Sequence, residues 1–392
     1  MKVLIIPSWY PSASSPLNGI FIKEQVVALA KFFPQHSFTV YHISEFLKYE
    51  SLYKSFTTIK HKTSKDNLTE ITCCKNLLLF KILNKLKLAI SAKHRFFAKT
   101  ILKDLKGKEF DLIHAHVSFP GGYLAMFLAD KLKIPYIITE HMGPFPFPQF
   151  PYTTQQNISI YLRNALGKAS QIVAVSHSLA KKIASYDLPA PVVIPNMVND
   201  SIFKYSPLEI NHVPFKFFSL AILSFQKGYD TLLTAFSLIH NQVKVKLTIG
   251  GDGSVLKQLQ EMATSLKIDE DVIWLGALNR KQSYSQFQDC NCFVLPSRHE
   301  SFGIVYAEAL ACGKPIIATR CGGPEDIVKD LNGLLCEIDD PRSLADAMLT
   351  MIKNYGQYDS QQIYQDFVNN FSAKVVTSQI EKLYNNVLEK TK

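Results

Sequence analysis

Two glutamates eight positions apart, Glu300 and Glu308, stand in a segment whose pattern predicts a loop followed by a helix. Gly303 lies between them and is followed by Ile304 and Val305, so we expect the helix to begin there, with backbone N–H groups that lack partners inside it. A helix start of this kind binds phosphate groups, and a glycine lets a ligand approach the backbone closely. The segment therefore predicts a site for an elongated ligand that carries a diphosphate.

A second candidate group is the pair Lys227 and Gly228, which follows a predicted strand in the second half of the chain. A lysine ammonium can stabilise the charge of a departing diphosphate, a task that a metal ion performs in many enzymes. The Asp-Glu-Asp segment at 269–271 is predicted to be a solvent-facing turn before a strand rather than a metal site. We therefore expect neither a metal nor another cofactor.

The segment from Pro296 to Pro315 resembles the Glu-x7-Glu motif of retaining glycosyltransferases of family 4, which have the two-domain GT-B fold. The resemblance extends to the Lys-Gly turn at 227–228, to the glycine turn at 250–253 and to the strand end at 192–196. It implies an enzyme that moves a sugar, with retention of configuration, from a nucleoside diphosphate sugar to an acceptor. A dehydrogenase is disfavoured because the glycine turn lacks the third glycine of the dinucleotide-binding fingerprint.

The resemblance also implies roles for individual residues. Glu300 would accept hydroxyls of the donor sugar with help from the amides of Gly303 and Ile304, and Glu308 would accept the ribose hydroxyls. Lys227 would stabilise the leaving diphosphate, and an oxygen of that diphosphate would take the acceptor's proton. The implied catalytic residues are Lys227, Glu300 and His141, and the implied donor-binding residues are Gly19, Arg298, Phe302, Gly303, Ile304, Val305 and Glu308.

Two of these residues lie in the first half of the chain. His141 follows the predicted strand Tyr136–Thr139 and precedes a proline-rich loop over 142–151, at the position of a family histidine that faces the donor sugar. Gly19 falls in the loop after the first strand, where a glycine backbone could approach phosphate or acceptor.

One position departs from the family pattern. Family members usually carry an arginine five residues before the Lys-Gly lysine, which completes a pair of cations on the diphosphate, whereas this chain has Ile222 there. Arg298 and Arg320 are the candidates to replace it, and Arg298 is closer to the motif. If neither reaches the ligand, donor binding should be weaker, since a hydrogen bond to a charged group contributes about 1.5–3 kcal/mol.

The elements that must position these residues alternate short apolar runs with helical patterns, which predicts parallel sheets covered by helices. We expect an α/β protein of two Rossmann-like, doubly wound domains that face a cleft, with ligands at the carboxyl ends of the strands. The predicted boundaries are a first, acceptor-side domain at 1–200, a linker at 201–214, a nucleotide-sugar domain at 215–370, and a C-terminal helix at 371–392 that packs back on the first domain.

The net charge of +10 is concentrated in the first half of the chain, where residues 1–200 hold 24 Lys and Arg against 12 Asp and Glu. The stretch Lys75–Lys108 contributes ten of these cations against one acid, interleaved with Leu, Ile and Phe. This pattern is typical either of a solvated face on a core helix or of a segment that lies on an anionic bilayer. Nucleic acid is disfavoured because no nucleic-acid-binding motif accompanies the charge.

The chain has no apolar run long enough to cross a membrane, and Pro7 interrupts the opening apolar residues. We expect a cytoplasmic protein, at the inner face of the membrane if the basic stretch binds lipid, and its seven cysteines should be reduced. The expected partners are a nucleoside diphosphate sugar and a glycan or lipid-linked acceptor. A sugar-nucleotide epimerase and a catalytically silent sugar-nucleotide binder remain as alternatives.

Overall fold

The computed structural model describes residues 1–12, 15–46, 58–76, 89–147, 157–205, 207 and 213–391. These residues group into two compact units. Unit 1 comprises Met1–Val175, Ala180–Ile194 and Thr377–Lys392, and unit 2 comprises Ser176–Leu179 and Pro195–Val376. Parts of three predicted segments lie outside the described residues: 206 and 208–212 of the linker, 148–151 of the proline-rich loop and 77–88 of the basic stretch.

Unit 1 contains an eight-stranded sheet. Its strands are β1 (Lys2–Pro7), β2 (Ser37–Phe46), β3 (Thr58–Lys65), β4 (Leu68–Asn76), β5 (Leu112–His116), β6 (Tyr136–Glu140), β7 (Gln171–Ala174) and β8 (Val192–Val193). They lie in the order β3-β4-β2-β1-β5-β6-β7-β8, and each pairing is parallel except the antiparallel pair β3 and β4. Strands β5 and β6 are buried along their whole length, as their continuous apolar runs predict for a sheet covered on both faces.

Unit 2 contains a six-stranded sheet in which every pairing is parallel. Its strands are β9 (Phe215–Leu220), β10 (Val245–Gly250), β11 (Val272–Gly276), β12 (Cys292–Leu295), β13 (Ile316–Thr319) and β14 (Gly333–Cys336). They lie in the order β11-β10-β9-β12-β13-β14. The order reverses between β9 and β12, and the carboxyl ends of strands at such a switch point are where ligands bind in open α/β sheets.

The helices connect and cover these strands. They are α1 (Ile20–Phe32), α2 (Ala89–Asp104), α3 (Tyr123–Leu132), α4 (Ile160–Gly167), α5 (His177–Ala184), α6 (Tyr229–Ile239), α7 (Leu256–Ser265), α8 (Arg280–Asp289), α9 (Ile304–Ala311), α10 (Pro341–Asn354), α11 (Ser360–Phe371) and α12 (Ala373–Glu389). The α/β class with two parallel-rich sheets is confirmed.

Two strand predictions need correction. The largely apolar run at 217–223 predicts one strand over its whole length, but β9 ends at Leu220 and the chain then leaves the sheet. The antiparallel pair β3 and β4 was not predicted, because an edge strand rich in Lys and Thr does not show the apolar run of a central strand. The cysteines whose side chains the structure describes are all buried and free, in agreement with the expected reduced thiols.

Candidate active site

The switch point of unit 2 brings together the two predicted charged residues. Lys227 lies in the short helical turn that follows β9, and Glu300 lies in the loop that follows β12, the strand paired with β9. The Nζ atom of Lys227 is 2.6 Å from Oε1 of Glu300, and the Ser297 hydroxyl donates to the same carboxylate oxygen over 2.9 Å. The Glu300 side chain is 10% exposed and that of Lys227 22%. A fixed cation is therefore held at the carboxyl edge of the sheet.

A close backbone contact fixes the turn that carries this lysine. Gly228 has φ 66, and a Cβ atom on it would lie 2.0 Å from the carbonyl oxygen of Pro296. The Arg298 amide also donates to the carbonyl of Gln226 over 2.8 Å. Glycine is thus required after Lys227, both for its left-handed conformation and for the space beside the second loop.

Helix α9 begins beside this pair. Its N-cap is Gly303, with φ 86 and no side-chain cap, so the first amides of the helix donate no hydrogen bond to a capping side chain. Gly303, Ile304 and Val305 are half-buried, whereas the rest of the helix is buried. The backbone N–H groups of this helix start are therefore available to an anion, as the sequence predicts.

Phe302 has a different place from the one expected of a donor-binding side chain. It is 2% exposed, and its ring centroid lies 5.8 Å from that of Phe371. A Cβ on Gly323 would lie 2.4 Å from the Phe302 Cα, so the backbone is also tightly enclosed. The Phe302 side chain anchors the loop by packing inside the protein.

Glu308 lies inside α9, is 1% exposed, and forms an ion pair with Arg280, the first residue of α8. The Arg280 guanidinium lies over the ring of Phe203 at 4.6 Å from its centroid. Sequence reasoning did not identify Arg280. Its place could have been predicted from Asn279 and Gln282, which form a capping box and fix where α8 begins.

A second unpredicted contact comes from the loop after β13. The Gly323 amide donates to the Glu300 carbonyl over 2.8 Å, and the Glu325 carboxylate accepts from the Gly322 amide over 3.1 Å. The loop after β13 therefore holds the backbone of Glu300, whereas the turn that carries Lys227 holds its side chain. The Gly-Gly-x-Glu pattern after a buried strand was the available signal.

The cations proposed to replace the missing arginine are engaged elsewhere. Arg298 donates two hydrogen bonds to the Asp230 carboxylate, at 3.0 and 2.7 Å, and its Nε is 2.6 Å from Asp339. Arg320 pairs with Glu337 at 3.4 Å, and both of these side chains are more than half exposed. Ile222 itself is 73% exposed. Because two carboxylates already neutralise Arg298, its observed role is to tie the loop of the motif to α6.

In unit 1, His141 follows β6 and joins a row of buried rings. Its Nε2 atom is 3.0 Å from Nδ1 of His116, and the His116 ring centroid is 4.3 Å from that of His114. His114 lies between the Thr139 hydroxyl, at 2.8 Å, and the Tyr384 hydroxyl, at 2.7 Å. Sequence reasoning did not include His114 and His116, although alternate residues of one strand share a face.

Two of these histidines, His114 and His116, have lowered pKa values and are neutral at physiological pH. Burial, and secondly the neighbouring His141, lowers the pKa of His114 to about 3. Burial, followed by the charges of the other two histidines, holds the pKa of His116 well below its ordinary value. A neutral imidazole ring can donate one hydrogen bond and accept another, but it supplies no cation to a diphosphate.

Glu140 fixes the backbone on both sides of His141. Its carboxylate accepts from the amides of His141 at 3.0 Å, Met142 at 2.9 Å and Ser118 at 2.9 Å. The side chain is completely buried, and this burial raises its pKa although the three amides act in the opposite direction. Glu140 therefore joins the loop after β5 to the loop after β6.

Gly19 is the N-cap of α1, with φ 66, and a Cβ there would lie 2.5 Å from the carbonyl oxygen of Trp9. The glycine thus permits α1 to pack against the loop that follows β1. This contact is between two backbone segments, and it places Trp9 at the carboxyl edge of the unit 1 sheet.

Two family models match the chain. One, described as glycosyltransferase family 4, covers residues 75–202, and one, described as glycosyl transferases group 1, covers residues 203–369. The chain belongs to the GT-B glycosyltransferases of family 4. An uncharacterized glycosyltransferase of Methanocaldococcus jannaschii is 31% identical over 255 residues, which are 64% of this chain and 68% of the relative.

Solved structures of other proteins have the same fold as this glycosyltransferase. Sucrose-phosphate synthase from Thermosynechococcus elongatus superposes with a TM-score of 0.75 at 18% identity, over 99% of each chain. An Anabaena protein in complex with UDP and glucose gives 0.72 at 19% identity, over 98% of this chain and 100% of the other. At these identities the superpositions show the GT-B fold alone.

Within unit 2 of this glycosyltransferase, the structure brings Lys227, Glu300 and the helix start at Gly303 to one edge of the sheet. It places His141 and Gly19 in unit 1. No helix among the described residues is both long and apolar enough to span a bilayer.

Proposed function

We propose that this glycosyltransferase transfers a sugar, with retention, from a nucleoside diphosphate sugar to a lipid-linked or glycan acceptor, and that it needs no metal ion. The observation that carries the proposal is the Lys227–Glu300 pair at the switch point, beside the uncapped start of α9. The similarity in fold to the Anabaena protein, whose structure contains UDP and glucose, supports a nucleotide-sugar donor.

The proposed step breaks the bond between the anomeric carbon and the diphosphate oxygen, and the acceptor oxygen bonds to the same face of that carbon. The acceptor's proton passes to an oxygen of the leaving diphosphate. Negative charge builds on the diphosphate as positive charge builds on the sugar, so fixed donors around the diphosphate lower the barrier most. Lys227 and the amides of Gly303, Ile304 and Val305 supply these donors in the proposal.

The two glutamates orient the donor. Glu300 is held by Lys227 and by Ser297, so its carboxylate is fixed before a ligand arrives. We assign it to the hydroxyls of the donor sugar. Glu308, held by Arg280, is assigned to the ribose hydroxyls. His141, with its neutral neighbours, is assigned to the sugar side of the donor.

A donor screen tests the proposal. Nucleoside diphosphate release would be followed over UDP-, GDP- and ADP-sugars in the presence of EDTA, with and without acceptor extracts. We expect release from one donor class and a product whose anomeric proton coupling matches that of the donor. Interconversion of free nucleotide sugars would instead identify an epimerase. Binding of a nucleotide sugar without any release of nucleoside diphosphate would identify a catalytically silent binder. The presence of Ile222 at the position where family members carry an arginine favours this alternative.

We also propose that unit 1 binds an anionic membrane surface through α2 and the turn that follows it. Arg95, Lys99, Lys103 and Lys106 are exposed there, and Phe96 among them is 44% exposed. Each Lys or Arg near an anionic surface contributes about 1 kcal/mol, so four engaged residues suffice for peripheral binding that weakens with salt.

Vesicle flotation tests this second proposal. The protein should rise with phosphatidylglycerol vesicles at low salt and stay down with phosphatidylcholine vesicles. The triple variant Lys99→Glu, Lys103→Glu, Lys106→Glu should stay down with both.

The matched control makes the same change of charge elsewhere in unit 1, at the exposed residues Lys131, Lys168 and Lys181. This control should float as the unchanged protein does. If the unchanged protein does not float with anionic vesicles at low salt, the basic face of α2 is a solvated surface and the proposal is wrong.

A further inference from the structure

A cavity of about 360 Å³ lies within unit 1, at the carboxyl ends of β1, β5 and β6. Its walls come from Trp9 after β1, from the loop 117–120 after β5, and from the loop after β6. This is the switch point of the unit 1 sheet, because β1 pairs with β2 on one side and with β5 on the other. The volume falls within the range of about 300–1,000 Å³ that is typical of small-molecule sites.

The lining of this cavity is apolar and aromatic. Trp9, Phe119, Met142, Phe145 and Phe147 contribute most of the large side chains. A subsite for a sugar would need several free polar side chains to exchange hydrogen bonds with the hydroxyls, because an unpaired polar group is costly to bury. A hydrocarbon group needs none of these.

The polar residues of the lining do not change this conclusion. They are Ser118 and Glu140, and the Glu140 carboxylate already accepts three backbone amides. The cavity therefore offers area for an apolar ligand and few hydrogen bonds for a polar one.

The wall of the cavity is held in a strained backbone conformation. Val117 has φ 71 although it is β-branched, a conformation that such residues rarely adopt. It is 1% exposed, and its amide donates to the Thr139 carbonyl over 2.7 Å. Strain of this kind persists where the surroundings fix it, commonly at ligand sites. The cavity is thus formed before a ligand binds.

The cavity also adjoins the segment that carries His141. Glu140 and Met142, which flank His141 in the chain, both line it. An occupant would therefore lie beside the segment that carries the histidine that the proposed function assigns to the sugar side of the donor. The part of the acceptor closest to the reacting hydroxyl would then be apolar.

The element behind the cavity wall is α2. The ring of His94, on the buried side of α2, lies 4.9 Å from the ring of Phe119. The opposite side of the same helix carries the exposed cations Arg95 and Lys99 and the exposed Phe96. The helix whose exposed face we propose to bind an anionic surface therefore also supports the cavity wall with its buried face.

We propose that this cavity binds the hydrocarbon portion of a lipid acceptor whose reacting hydroxyl lies close to that hydrocarbon. The proposal rests on the proposed function for the identity of the acceptor, but the binding itself does not require a donor. Its test can therefore fail or succeed independently of sugar transfer.

Trp9 provides a direct reporter, since the chain has two tryptophans and the other, Trp274, lies in unit 2. In the full-length variant Trp274→Phe, fluorescence comes from Trp9 alone. The probe is 11-bromoundecanol below its micelle concentration, because bromine quenches a tryptophan that it contacts. We expect saturable quenching. Undecanol should compete with the probe, and methyl glucoside should not.

A charge placed in the wall should remove this binding. Met142 is half-buried and lines the cavity, so Met142→Asp introduces a carboxylate into the wall without replacing a fully buried side chain. We expect its dissociation constant for the probe to rise at least tenfold. The matched control is Phe110→Asp, at a half-buried residue of unit 1 outside the lining, which should leave the constant unchanged.

Several outcomes would overturn the proposal. These are quenching that stays linear with probe concentration, equal quenching in Met142→Asp, and competition by bromophenyl glucoside but not by undecanol, which would indicate an aromatic aglycone. Nucleotide binding separates the two claims. A protein that binds nucleotide but no undecanol contradicts the lipid cavity alone, and one that binds undecanol without donor turnover contradicts the proposed function alone.

Discussion

The two sheet edges of this glycosyltransferase solve different chemical problems. At the edge of unit 2, charged groups pair with one another, Lys227 with Glu300 and Arg280 with Glu308. At the edge of unit 1, the buried neutral rings of His114 and His116 and the buried carboxyl of Glu140 lie near an apolar cavity. A leaving diphosphate requires fixed charge, whereas an acceptor requires shape and an environment that excludes water.

The largest expected effect follows from removing the cation of unit 2. Lys227→Ala should lower the catalytic rate with the preferred donor by about a hundredfold or more, because one electrostatic donor to the transition state is lost. Steady-state release of nucleoside diphosphate measures this. Full activity of the folded variant would contradict the assignment, as would a strict requirement of the unchanged enzyme for magnesium.

Glu308 should affect binding rather than chemistry. Glu308→Gln should raise the dissociation constant for the nucleotide about tenfold or more, because a charged acceptor of hydrogen bonds is replaced by a neutral one. Calorimetry measures the constant directly. The control Glu337→Gln changes an exposed glutamate paired with Arg320 and should have no effect. Unchanged affinity in the folded Glu308 variant would refute the assignment.

Acid should destabilise unit 1 more than unit 2. Burial lowers the pKa of four unit 1 histidines, to about 4 for His42 and His94, to about 3 for His114, and well below the ordinary value for His116. Each contributes stability that is present above its unfolded pKa of about 6.5 and is lost as the pH falls toward its folded pKa. The loss is up to about 1.4 kcal/mol per pH unit for each group. Glu140, whose pKa is raised, acts in the opposite direction above pH 4.5 and reduces the net slope.

Urea unfolding at pH 7.5 and 5.5 checks this difference. The variants Trp274→Phe and Trp9→Phe report unit 1 and unit 2 respectively by fluorescence. Unit 2 has one described histidine with a lowered pKa, the half-buried His299. We expect the unit 1 transition to move to lower urea by the larger amount. Equal movement of both transitions would show that the buried histidines do not dominate the pH dependence.

The smallest expected effect concerns Arg298. The Asp230 side chain is 43% exposed, and ion pairs with an exposed partner contribute about 0–1 kcal/mol, so Arg298→Gln and Asp230→Asn should each change nucleotide affinity by less than about threefold, and by similar amounts. Similar effects are expected because the arginine acts through the loop that it ties to Asp230. If Arg298→Gln weakened binding more than tenfold while Asp230→Asn did not, Arg298 would be the cation that replaces the missing arginine.

The sequence predicted the edge of unit 2 better than that of unit 1. Lys227, Glu300 and Gly303 could be predicted to lie at one edge because they follow two predicted strands, and the carboxyl ends of parallel strands meet at the same edge of a sheet. Arg280 was missed, since its contact with Glu308 joins two helices 28 residues apart in the chain and depends on tertiary packing.

The sequence contains weaker signals for the residues that meet at the edge of unit 1. His141 was found by its position after β6, but its pairing with His116 depends on how two neighbouring strands align. The cavity could not be predicted, because its apolar lining comes from loops after three strands, and single apolar residues in loops carry no periodic pattern.

The central claim is that the nucleotide diphosphate is held by the edge of unit 2 without a metal ion. Hydrogen exchange in EDTA, with and without the nucleoside diphosphate found in the donor screen, tests this claim most directly. We predict that the nucleotide slows exchange in peptides that contain residues 226–229 and 300–308, and that Lys227→Ala removes this protection. Unchanged exchange in both segments at saturating nucleotide, or protection that appears only when magnesium is added, would contradict the account.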